Sequence, residues 1–133
     1  MEKATNAELQ ARAQLESVRD MAKGLQDARY ADNHDDMENA EQAIQNDALE
    51  VQVRSEWHNP GTSQDAENAQ YTILLCMGGP AVRIKGTIDD YQDPATAQIE
   101  YQDWGTPWTR LAGLTSEDVD ALLVYAGCFY FAD

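Results

Sequence analysis

The chain is poor in the residue types on which most catalytic and metal sites depend. It has two histidines and two cysteines in 133 residues. Cys76 and Cys128 both sit in apolar contexts and lack a flanking base, so buried free thiols in a reducing cytosol are expected, with a disulfide as the alternative. His34 lies within Asp32-Asn33-His34-Asp35-Asp36, which offers oxygen and nitrogen ligands. That segment lacks the glycine and the distal glutamate of a calcium loop. His58 follows Trp57 at a strand end and precedes Asn59-Pro60, where a turn residue is equally at home. No Gly-x-Ser-x-Gly, no phosphate loop and no Cys–His neighbour occurs. Gly78-Gly79 lies between two strand patterns and reads as a hairpin, not a phosphate cradle. These absences leave no catalytic, cofactor-binding or metal residue to assign, and a non-enzymatic protein is expected. No apolar run reaches the roughly 18–20 residues of a membrane span, so no membrane partner is expected. The polar start, Met1-Glu2-Lys3-Ala4, lacks an apolar signal region, which points to the cytoplasm.

Positive charge is also scarce. Nine Lys and Arg stand against 24 Asp and Glu, a formal charge of −15. Between Tyr30 and Val53 lie Asp32, Asp35, Asp36, Glu38, Glu41, Asp47 and Glu50, with no Lys or Arg among them. Such a field repels nucleic acid, anionic lipid and phosphorylated substrates, and it attracts basic protein surfaces.

What is present divides into two periodicities. Over residues 2–30, Leu15, Val18, Ala22 and Leu25 form one narrow apolar stripe among good helix formers, so a helix is expected with one face buried. Gly24 is its weak point. Residues 31–35 read as a turn. A second helix is expected over 36–46, with Met37, Ala40 and Ile44 on one side and Asp35 or Asp36 as cap. The period then drops to two. Leu49, Val51, Val53 and Trp57 alternate with polar residues, and Asn59-Pro60-Gly61 closes that strand. Tyr71–Met77 is apolar on both faces and is expected to lie centrally, with Leu74 and Cys76 on a second face that something must cover. Val82, Ile84 and Ile88, then Ala97, Ile99 and Tyr101, mark two more strands, separated by a turn at Asp89–Pro94. Ser116-Glu117-Asp118 is expected to cap a final helix, starting from Ser116. Wet faces on three of the strands favour antiparallel pairing. The expected fold is α+β, with N-terminal helices and a C-terminal helix packed on a four-stranded antiparallel sheet. One domain is expected over 1–133, with an acidic helical part at 1–47 and the sheet plus C-terminal helix at 48–133.

Two groups of residues are candidates for partner binding. Asp32, Asp35, Asp36, Glu38, Glu41 and Asp47 line the acidic segment. Duplex DNA carries one charge per roughly 1.7 Å of axis, so a row of carboxylates on a helix can stand in for phosphates. The first helix is a less clean candidate, because Arg12, Arg19, Lys23 and Arg29 dilute Glu16, Asp20 and Asp27. Trp104 and Trp108 flank Gly105 and Pro107 in an irregular segment. Trp is a frequent interface anchor, and loops commonly carry function.

Three blocks carry a resemblance: Leu74-Leu-Cys-Met-Gly-Gly-Pro-Ala-Val-Arg-Ile84, Tyr101-Gln-Asp-Trp-Gly-Thr-Pro-Trp108 and Tyr125-Ala-Gly-Cys-Phe-Tyr-Phe131. Over residues 49–131 the chain resembles a family of small acidic proteins carried by phages, prophages and plasmids. No catalytic role attaches to these blocks, so no functional residue carries over. The resemblance implies a mobile-element setting, where small acidic proteins often inhibit host defence, anti-CRISPR and anti-restriction proteins among them. The expected partner is then the basic surface of a host nucleic-acid-binding defence protein, met in the bacterial cytoplasm by nucleic-acid mimicry and without direct contact to nucleic acid. The alternative is a homodimeric protein–protein interaction module, joined through the sheet or its aromatic loop, whose acidity serves solubility. A third reading, an enzyme using His58 or Cys128, has the least support.

Overall fold

The computed structural model describes residues 6–54, 69–77, 80–89, 91–103, 105–129 and 131. In chain order the elements are α1 (Asn6–Tyr30), α2 (His34–Asp47), β1 (Glu50–Arg54), β2 (Gln70–Cys76), β3 (Ala81–Thr87), β4 (Gln98–Gln102), β5 (Thr109–Arg110) and α3 (Ser116–Ala126). The strands form one antiparallel meander in the order β1-β2-β3-β4-β5. The α+β class is as expected, but among the described residues the sheet has five strands, not four. The added strand has two residues, too few to show an alternation, and it exists because Thr109 and Arg110 pair with Tyr101 and Glu100.

The buried stripe of α1 runs Ala7, Ala11, Leu15, Val18, Ala22, Leu25 and Ala28, longer than its large residues alone suggest. Buried alanines extend it at both ends. The helix packs on β3 and β4 and is flanked by α2 and α3. Facing it, Ile73, Ile84 and Ile99 stand opposite one another on three adjacent strands and are fully buried. Each such side chain contributes about 1.5–3 kcal/mol by leaving water. Tyr71 lies on the same face, stacked 4.8 Å from Phe131, and donates its hydroxyl to Thr96 O at 2.7 Å. That approach depends on Gly86, where a Cβ would stand 1.9 Å from Thr96 O.

The ends of α1 and α2 are joined by local chemistry. Asp32 adopts φ 53, and Asp32 N and Asn33 N donate to Arg29 O and Ala28 O, closing α1 in a Schellman-type turn. Asn33 then caps α2, its extended backbone letting Oδ1 accept from Asp36 N at 3.1 Å. The cap is therefore neither Asp35 nor Asp36. Both lie inside the first turn of α2, where their charge favours the helix dipole. α3 is likewise capped one residue earlier than expected. Thr115 and Asp118 form a reciprocal capping box, and Arg19 of α1 reaches Asp118 Oδ1 at 3.0 Å. That ion pair serves an oxygen that is buried and has no hydrogen bond of good geometry.

A bulge in β2 changes the expected facing of Cys76. The register shifts between Leu74 and Cys76, and Cys76 comes opposite Val82, near the Gln10 side chain of α1. One extra residue reverses the alternation, so Cys76 packs against the helix-side core and not on the open face. Leu74 is half-buried within the single chain. The expected strand end at Trp57, the turn at Asn59-Pro60-Gly61 and Gly78-Gly79 lie outside the described residues.

Candidate functional site

The α1–α2 turn carries a run of exposed carboxylates. Asp32, Asp35, Asp36 and Glu38 are exposed there, and so is Tyr30, at 95%. Among the described residues no Lys or Arg lies within ion-pair distance of these four carboxylates. Only His34 comes near, 3.9 Å from Asp32. The other two predicted acids serve the fold. Glu41 is half-buried and pairs with Arg29 across the helices at 3.6 Å. Asp47 accepts a 2.7 Å hydrogen bond from the Tyr125 hydroxyl, tying the end of α2 to α3. Burial, and then Asp47 beside it, push the Tyr125 pKa well above the usual phenol value. Asp47 is thereby committed to an internal bond and is not a free phosphate substitute.

Most cations of α1 are committed in the same way. Arg12 bonds Glu8 and Ala112 O, Arg19 spans to Glu117 and Asp118, and Arg29 reaches Glu41. They link α1 to its neighbours, which leaves the tip of the helical layer acidic although α1 itself is mixed in charge. Tyr30 was not among the expected contact residues. Its signal was an aromatic at the last turn of a helix, immediately before the acid run.

The sheet face turned away from the helices has the opposite character. Cross-strand register places Glu50, Leu74, Arg83, Glu100 and Arg110 in one row, with Gln52, Thr72, Lys85 and Gln98 in the next. Arg54 lies on this face beside Gln70. Among the described residues, four of the chain's nine Lys and Arg thus gather there against two acids, Glu50 and Glu100. Arg83 donates from both Nε and Nη2 to Glu100 Oε1 at 2.7 Å, and Gln98 Nε2 donates to Glu100 Oε2 at 3.0 Å. Trp108 covers the Arg83 guanidinium at 4.1 Å, a cation–π contact. A shallow groove of about 520 Å³ runs over Gln52, Arg54, Gln70, Thr72, Arg83 and Lys85.

Trp108 is therefore half-buried on the sheet side, whereas the acidic turn belongs to the helical side. The structure does not join them in one surface. Trp104, the other aromatic candidate, lies outside the described residues, as do Trp57 and His58. Cys76 and Cys128 are free and half-buried. Burial is the main cause raising both pKa values, which keeps them thiols and not nucleophilic thiolates at neutral pH. Among the described residues no three His, Cys, Asp or Glu side chains converge as metal ligands, and no helix is long and apolar enough to cross a membrane. Comparison of the chain with protein-family models, with curated proteins and with solved structures returns no match.

Proposed function

We propose that this chain is a non-enzymatic binding protein that presses its acidic α1–α2 turn onto a basic, nucleic-acid-holding surface of another protein. The observation that carries the reading is the group of Asp32, Asp35, Asp36 and Glu38 around an exposed Tyr30, without a described Lys or Arg to neutralise them. Carboxylates left in water at one tip are free to replace phosphates against Lys and Arg. A bare tyrosine adds contact area at low entropic cost. Each exposed pair is worth on the order of 0–1 kcal/mol, so affinity rests on their number and on the ring. In the mobile-element setting that the resemblance implies, the target is a host defence complex such as a CRISPR effector, and the protein acts as its inhibitor.

The test is capture of partners from host-cell lysate on the tagged protein at low and at high salt. It is run beside a variant carrying D32N, D35N, D36N and E38Q. Capture of a nucleic-acid-handling complex that is lost at high salt and lost in the variant supports the reading. Capture that ignores both salt and the four substitutions overturns it.

A further inference from the structure

We infer that β1 is a self-pairing edge, through which two copies of this chain join antiparallel about a twofold axis at Gln52. The two edges of the sheet differ in how they are closed. β5 is two residues long and follows Pro107, which blunts it against further pairing. β1 is five residues long, in unshifted register with β2, and has no Pro, Lys or bulge to protect its outer side. No described strand pairs with that side.

Its sequence, Glu50-Val51-Gln52-Val53-Arg54, is complementary to itself when reversed. Antiparallel pairing centred on Gln52 sets Glu50 opposite the partner copy's arginine at position 54, Val51 opposite its valine at 53, and the two glutamines at 52 opposite each other. Directly opposed residues share a face, so both charge pairs fall on the open sheet face and both valine pairs fall on the helix side. Moving the centre to Val51 or Val53 keeps the faces but loses both charge pairs. The helix-side row is also incompletely covered in the single chain, with Leu49 56% and Val53 42% exposed. A partner strand supplies the missing apolar neighbours. The contact is small and each copy carries −15, so the dimer is weak and concentration-dependent. The inference does not depend on the acidic-turn reading, because none of the turn's carboxylates enters the contact.

Sedimentation velocity over low- to high-micromolar protein tests it. The intact chain is expected to pass from monomer to dimer across that range. E50R opposes arginine to arginine twice per dimer, and R54E opposes glutamate to glutamate twice. Each is expected to weaken association by about tenfold or more. An equimolar mixture of E50R and R54E chains, or the double variant E50R/R54E, is expected to restore it, which a folding defect would not allow. D32N/D35N/D36N/E38Q is expected to leave it in place. A chain that stays monomeric throughout, single reversals without effect, no restoration by the mixture and the double variant, or loss of the dimer in the four-acid variant would each overturn the assignment.

Discussion

Four carboxylates at the α1–α2 turn stand in water with no Lys or Arg partner among the described residues, while on the open sheet face Glu100 is held by Arg83 and Gln98, with Trp108 covering Arg83. Both regions are polar, and both are built from residues that composition alone would class as solvated. They differ in what a lost side chain leaves behind. At the turn, removing a carboxylate leaves water and a backbone already closed by the Schellman turn and by Asn33. On the sheet, removing one partner strands a charge that its neighbours have largely taken out of water. Charge that is paired belongs to the fold, and charge that is unpaired is open to another molecule.

The fold is most sensitive where Gly86 meets the Thr96 carbonyl. Gly86→Ala forces a Cβ against the Thr96 carbonyl and the Tyr71 hydroxyl. It is expected to cost about 3 kcal/mol or more, read as a shift of the urea midpoint or as failure to fold. Next comes Glu100→Ala, which leaves Arg83 without its carboxylate and is expected to cost about 2 kcal/mol in the same measurement. Tyr125→Phe removes the bond that holds Asp47 inside the fold. A loss of about 1 kcal/mol is expected, with no change in partner capture. Neutralising Asp32, Asp35, Asp36 and Glu38 one at a time is expected to move stability by no more than about 0.5 kcal/mol each, while binding of a basic partner falls with each. A turn variant that destabilised the fold as much as Glu100→Ala would erase the distinction between the two regions.

The asymmetry extends to alkaline pH. Cys76 and Cys128, ordinarily near 9.0, and Tyr71 and Tyr125, ordinarily near 10.0, all have folded pKa values raised chiefly by burial. Unfolding releases their protons more readily, so this contribution is complete below about pH 9 and is lost as pH rises beyond it. Thermal melts between neutral pH and pH 10.5 are expected to show a declining midpoint, and the same decline in the four-acid variant.

Much of the architecture was legible in the chain because it rests on periodicity. Leu15, Val18, Ala22 and Leu25 repeat as a helix face does, and Val82 and Ile84, then Ala97, Ile99 and Tyr101, alternate as half-buried strands do. Features set by one contact were not legible. β5 depends on pairing with Tyr101 and Glu100. The cap of α2 is Asn33 because its side chain reaches Asp36 N, a competition between neighbouring cap formers that spacing does not decide. The bulge before Cys76 moved that residue to the helix side.

The candidate site was legible to about the same depth. Asp32, Asp35, Asp36 and Glu38 do gather at one tip, as a short acidic run around a helix start must. Asp47 and Glu41 belong to the same run and yet are drawn inward, by Tyr125 from 78 residues away and by Arg29 across the helix pair. Trp108 faces the sheet's open side, where Arg83 holds it, and not the acids.

The sequence by itself determined the sign and amount of the charge, the type and order of the main helices and strands, and the alternation that separates the wet and dry faces of the sheet. These follow from residue type and near-neighbour spacing. Only the tertiary structure decided which of the described carboxylates lack a Lys or Arg partner, which cations are consumed in joining helices, and how the strands follow one another across the sheet. Pairing and desolvation depend on groups brought together from distant parts of the chain, and no local pattern encodes that distance.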